Sequence, residues 1–250
     1  MARVKYLNST LREVLFQVRF PKIIKLMEEA PASFQELIMG KYPIYSVQKN
    51  ETVVAFNGKQ QQQLNENNHS FISSSGRTKI TLTSSFITIS TLEYQRWEMF
   101  KQEVEEVLNE FYSCYTIPGI QRIGLRYKNV IIRSQLGLQG KPWAELLNPS
   151  VLGPLATRDD ITSYKTEYEL KNSDDCFTIR HYELVRDRST TELAMLLDCD
   201  YYYTGFFNAD AVSGLSDNLH DLSQKFIEES HKEILLTAMK PQELEPWSAI

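Results

Sequence analysis

Asp198 and Asp200 stand one residue apart in the apolar, aromatic run Leu196-Leu197-Asp198-Cys199-Asp200-Tyr201-Tyr202-Tyr203. On a strand, alternate side chains project to opposite faces, so Asp198, Asp200 and Tyr202 share one side and Leu197, Cys199, Tyr201 and Tyr203 the other. The apolar set predicts the core side, which leaves the aspartates facing away from it. The stretch that follows Gln121 sorts in the same way. Arg122, Gly124, Arg126 and Lys128 share a face, and Ile123, Leu125, Tyr127 and Ile131 share its reverse. If the two strands are neighbours, cross-strand Arg–Asp pairs form readily, because a guanidinium fork matches a carboxylate.

Three chemistries fit two acids facing two arginines and a lysine. The first is a structural lattice of ion pairs, each worth little where exposed. The second is a recognition surface on which Arg122 and Arg126 meet an anionic ligand or an acidic partner segment. The third is a Mg²⁺ site for phosphoryl transfer, with Asp198 and Asp200 as ligands and Arg126 stabilising charge. A hard-cation site of that kind needs further ligands and a phosphate cradle. No GxxxxGKS/T loop, GxGxxG turn, HExxH helix or GxSxG elbow occurs, and there are only ten glycines. That weighs against an enzyme, and no cofactor is expected under the first two readings.

The histidines offer little catalysis. His181 reads as a satisfied sheet histidine in Thr178-Ile179-Arg180-His181-Tyr182. His220 and His231 fall on one side of the final helix, about 16 Å apart along its axis, too far to share a metal. Cys199 points to the apolar side and reads as inert packing. Tyr164, Tyr168 and Tyr182 share strand faces with Thr162, Thr166, Thr178 and Arg180, a mixture that could stack nucleobases. It is also ordinary for antiparallel sheets, and the acidic surroundings disfavour a phosphate backbone.

These residues need elements to hold them. Val14, Phe16, Val18 and Phe20 alternate along one strand. A short helix is expected over ASFQELIMGKYP, with Ser33 as its N-cap and Gly40 and Pro43 ending it. TVVAFNG and HSFISSS are weaker strands around KQQQQLNENN, which reads as a hairpin loop. TKITLTSSFITIS is strand, divided at Ser84-Ser85. Trp97, Phe100, Val104, Val107, Leu108 and Phe111 then make one helical stripe, with Glu98, Lys101, Gln102, Glu105 and Glu106 towards water. The second half runs from the Arg122 strand through a short helix at PWAELLNP and an antiparallel pair, ITSYKTEYEL with CFTIRHYELV. It continues into the aspartate strand and a long helix carrying Val212, Leu215, Leu219, Leu222, Phe226 and Ile234 to an end near Pro241.

Both halves therefore share one order: strand, short helix, three strands, long amphipathic helix. This suggests an internal duplication. The expected fold is α+β, an antiparallel sheet covered on one face by long amphipathic helices. Residues 1–117 and 118–240 are its two units, packed as one globular domain, and 241–250 a tail.

The 250 residues, 42 % hydrophobic and 24 % charged, suit a folded chain with a substantial core. A net charge of −5 argues against coating nucleic acid by bulk field. The three scattered cysteines suit a reducing compartment. With neither a signal-type start nor a long apolar span, a cytoplasmic protein off the membrane is expected.

Taken as a set, Leu11, Glu13, Val14, Phe16, Arg19 and Phe20, then Tyr94, Trp97 and Phe100, Arg122 to Tyr127 with Asn129, Leu197-Asp198 with Asp200, and Leu219-His220 span nearly the whole chain. In this the chain resembles a sporadically distributed prokaryotic family of about this length and of unknown function. The resemblance brings no activity, cofactor or catalytic residue with it. It implies a bacterial or archaeal origin and a patchy distribution typical of mobile or defence-related genes. The function expected is a non-enzymatic binding protein. It would present a polar sheet face, or a groove between its units, to a protein partner such as a neighbouring effector or toxin. Arg122, Arg126, Lys128, Asp198 and Asp200 would be the contacts. A sensor binding a nucleotide or other small anion between the units is a further alternative.

Overall fold

The computed structural model describes residues 4–56, 59–158, 160–245 and 247, with side chains described outside 49–66. In chain order the elements are β1 (Val4–Tyr6), β2 (Leu11–Arg19), α1 (Lys25–Glu28), α2 (Ala32–Ile38), β3 (Ile44–Phe56), β4 (Lys59–Ile72), β5 (Thr78–Leu82), β6 (Phe86–Thr91) and α3 (Trp97–Cys114). There follow β7 (Ile120–Ile131), α4 (Trp143–Leu146), α5 (Pro149–Leu152), β8 (Lys165–Lys171), β9 (Cys176–Arg186), β10 (Leu193–Phe207), α6 (Ala211–Ser230), α7 (Glu233–Ala238) and β11 (Pro241–Glu243).

Nine strands form one antiparallel sheet in the order β3-β4-β5-β6-β2-β7-β10-β9-β8. The fold is α+β. The first half supplies five of these strands and the second four, and the halves join where β2 pairs with β7. That join removes an edge from each half and lets one core run beneath both. The halves do not match strand for strand, so duplication is not established by the topology.

Local stereochemistry accounts for the core. Val14, Phe16 and Val18 of β2, Ile123 and Leu125 of β7, and Leu197, Cys199 and Tyr201 of β10 are all buried, as the alternation requires. The six apolar residues of the α3 stripe are buried with them. Phe111 sits at the centre of this half, stacked on Phe20 at 5.1 Å and edge-on to Phe34 at 6.3 Å.

Several expectations are corrected. KQQQQLNENN is strand, not loop: β4 pairs with β3 from Phe56↔Lys59 to Ile44↔Ile72. Strand pairing is made by backbone groups, so a polar run can extend a ladder once its neighbour is in register. Helix α2 begins at Ala32 with Pro31 in the N-cap position, and the Pro31 carbonyl accepts from Gln35 N. Ser33 is already inside the first turn. The final helix stops at Ser230, and Ile234 is 42 % exposed on the separate α7. The break arises because the chain turns to meet Leu146 and Leu147: Lys232 N donates to Leu146 O, and Leu147 bridges His231. Residues 241–243, assigned by sequence to a tail, pair as β11 with β1. Among the described residues no helix is long and apolar enough to cross a membrane.

Candidate functional site

The predicted acids and bases do meet. β7 and β10 are neighbours, with Asp198 opposite Lys128 and Asp200 opposite Arg126. The ion pairs run diagonally to that register. Arg126 holds Asp198 with both arms, Nε to Oδ1 at 2.6 Å and Nη2 to Oδ2 at 2.7 Å. Arg122 donates Nη2 to Asp200 Oδ2 at 2.8 Å and lies 4.3 Å over the Tyr202 ring. Lys128 pairs instead with Glu13 on β2, at 2.6 Å. Tyr202 donates onward to Glu169 at 2.6 Å, and His181 lies 3.1 Å from both Glu167 and Glu183.

Gly124 makes the diagonal possible. A Cβ there would stand 2.3 Å from Arg122 Nη1, so any side chain would push the guanidinium off the strand. Asp200 titrates under two opposed influences. Burial raises the Asp200 pKa above its ordinary value, and the charges of Arg122 and Arg126 pull against it. The Asp198 hydrogen bond raises the Arg126 pKa further.

Both oxygens of Asp198 are thus spent on one guanidinium. Among the described residues no group of three His, Cys, Asp or Glu side chains is placed to hold a metal ion. The geometry is that of a lattice. It also predicts an asymmetry: the Asp198 side chain is 9 % exposed and that of Asp200 22 %. Stripping the partner from the more buried acid leaves the costlier orphan. Arg126→Ala is expected to cost about 2–3 kcal/mol, and Arg122→Ala distinctly less, by urea denaturation. Equal losses would refute the asymmetry.

Cys199 and Arg180 lie on the helix-facing side. Burial lifts the Cys199 thiol to about 11, which leaves it unreactive near neutrality. Arg180 stands 3.8 Å over Phe226, and Tyr168 reaches the buried Tyr182 hydroxyl at 3.3 Å. Tyr182 and Arg180 are therefore packing beneath Phe226 of α6, while Tyr164 donates to Val151 O and Tyr168 lies 38 % exposed on the edge strand.

The sequence did not disclose a cavity of about 880 Å³ on the helix-facing side. Its floor is Tyr127 and Asn129 of β7 with Cys199 and Tyr201 of β10. α6 walls it with His220, Ser223 and Phe226, Tyr94 and Trp97 close another side, and Tyr6 of β1 and Leu244 beyond β11 reach over it. Trp97 stacks on His220 at 4.8 Å with their planes 9° apart, and the Tyr127 hydroxyl lies 2.8 Å from His220 Nδ1. This stack is pinned from outside: Asp217 accepts from Trp97 Nε1 at 2.7 Å and from Lys101 Nζ at 2.6 Å, tying α3 to α6. Burial alone would raise the Asp217 pKa, but those two donors hold it below its ordinary value. Lys101, expected simply to face water, thus serves the joint between the helices.

Tyr94, Trp97, Tyr127, Asn129 and His220, scattered over three of the motif segments quoted above, all line this cavity. That gathering was the available signal. A scan of the chain against protein-family models finds no match, and a search of curated proteins finds none.

Proposed function

We propose that the chain is a non-enzymatic binding protein whose binding element is the cavity between its two halves. One observation carries the reading. An aromatic-walled space of about 880 Å³ opens where the first half (β1, Tyr94, Trp97) meets the second (β7, β10, α6). Pockets of ~300–1,000 Å³, mostly apolar with a few converging polar groups, are where small ligands bind. Here the polar groups are the Tyr127–His220 pair and the Asn129 amide. This reading keeps the expectation of a groove between the units, with a small ligand in place of a protein partner.

The polar face supports a lesser role. Its guanidinium groups already donate to Asp198 and Asp200, so an acidic partner would have to displace them. Docking of a protein partner such as a neighbouring effector or toxin on this face is a second reading, favoured by the open sheet surface bearing Arg122, Arg126 and Lys128. It is tested by co-purification from the native operon with wild type and Arg126→Lys. The Mg²⁺ phosphoryl-transfer alternative finds less support, since its two ligands are engaged.

The cavity reading is tested by a fragment screen on the full chain, followed by thermal shift and tryptophan fluorescence. A ligand at 100 times its Kd is expected to stabilise by about 2.7 kcal/mol. Ser223→Leu, which puts a branched side chain into the cavity wall, is expected to abolish that shift while keeping a cooperative melt. Hits that shift wild type and Ser223→Leu alike would place binding elsewhere.

A further inference from the structure

We propose that the cavity takes a planar organic cation with a hydrogen-bond acceptor on its ring, an inference that rests on the cavity being a ligand site. The rings of Tyr94, Trp97, Tyr127 and Phe226 border the space, one face of Trp97 being stacked on His220 and one of Phe226 lying under Arg180. Aromatic faces carry negative potential and attract organic cations, most strongly where water is thin.

Charge at the mouth points the same way. Of the three cations that border the cavity among the described residues, two are paired with carboxylates and Lys5 has a neutral partner. Arg96 pairs with Glu98 at 2.7 Å, Lys225 lies 3.7 Å from Glu229, and Lys5 donates to Gln95 at 2.6 Å. Asp221 and Glu228, exposed two turns apart on α6, have no cationic partner among the described residues. Among the described residues that line the cavity, four carboxylates (Glu98, Asp221, Glu228 and Glu229) face three cations (Lys5, Arg96 and Lys225). An incoming cation would find the carboxylates at the entrance and the rings inside. The nucleotide or small-anion alternative is thereby disfavoured.

The acceptor requirement comes from Asn129. It lines the cavity floor at 8 % exposure, and its Oδ1 accepts from Thr10 Oγ1 at 3.2 Å. Its NH₂ group meets no acceptor among the described residues. That NH₂ group is reached by water in the cavity, and a ligand carrying an acceptor would take the water's place.

The test uses three matched probes on the full chain at pH 8 by tryptophan fluorescence titration: 1-methylquinolinium-3-carboxamide, neutral quinoline-3-carboxamide and anionic quinoline-3-carboxylate. The cation is expected to bind about tenfold more tightly than the neutral amide, and the carboxylate most weakly. Asp221→Asn with Glu228→Gln, both at exposed positions, should weaken the cation and leave the neutral amide unchanged. If the neutral amide or the carboxylate binds as tightly as the cation, the inference falls and the cavity remains a ligand site. If none of the three binds while fragments from the screen do, the inference again falls alone. If neither probes nor fragments bind, both readings fall.

Discussion

Phe111→Ala is expected to destabilise the protein by about 3–5 kcal/mol. Phe111 is 0 % exposed and touches rings from two other segments, Phe20 after β2 and Phe34 of α2, as well as Tyr115 at the end of its own helix, whose ring centroid is 5.4 Å away. Removing it forfeits the transfer energy of a buried ring and leaves a void that neighbours on a rigid sheet and two helices cannot close. Urea denaturation with unchanged m-value is the measurement. Met99→Ala on the same helix, at 47 % exposure, is the control and should change little. A loss below about 1 kcal/mol at Phe111 would mean that α2 and α3 collapse onto the gap.

Acidification is expected to cost nearly as much through one residue. His231 is 3 % exposed, and burial lowers its pKa to about 4 from an ordinary 6.5. The Ser230 hydroxyl donates to Phe226 O at 2.6 Å, so its oxygen is left to accept from His231 Nδ1–H at 2.8 Å. Nε2 has no partner among the described residues, so a proton added there would find no acceptor among them. The sign follows from linkage. The unfolded chain takes up this proton near pH 6.5 and the folded chain only near 4, so stability is complete above 6.5 and drains away as pH falls to 4. The total is about 3 kcal/mol. His231→Phe keeps an apolar ring without a titrating group, so its stability curve should fall less steeply than wild type across that window. Parallel curves from pH 7.5 to 4 would show that His231 does not set the acid limit. His69, its Nε2 without a partner among the described residues and its pKa lowered by burial, adds a contribution of the same sign that is common to both proteins.

Much of the architecture was legible because it rests on periodicity. A period of two sorted Val14, Phe16 and Val18 from Gln17 and Arg19, and Asp198 and Asp200 from Cys199 and Tyr201. A period near 3.6 picked out the Trp97 to Phe111 stripe. Errors fell where a local rule met a distant demand. The glutamine run looked like a loop because its side chains are polar, yet its backbone had a partner waiting in β3. The last helix looked continuous to Pro241 because its stripe persists, yet Leu146 and Leu147 draw the chain out at His231.

The candidate site divides along the same line. That Arg122, Arg126, Asp198 and Asp200 face away from the core follows from residue order alone, since alternation is imposed by the stereochemistry of each strand. Which arginine holds which aspartate does not follow from order. It depends on the β7–β10 register and on the bare backbone at Gly124, across which Arg122 lies. The cavity lies further still from local rules. Its walls come from positions as far apart as Tyr6 and Leu244, and β1 closes over it by pairing with β11 at the other end of the chain. No repeat or spacing encodes such a meeting, because the free energy that selects it comes from burying distant surfaces together, a property of the packed chain and not of any segment in it.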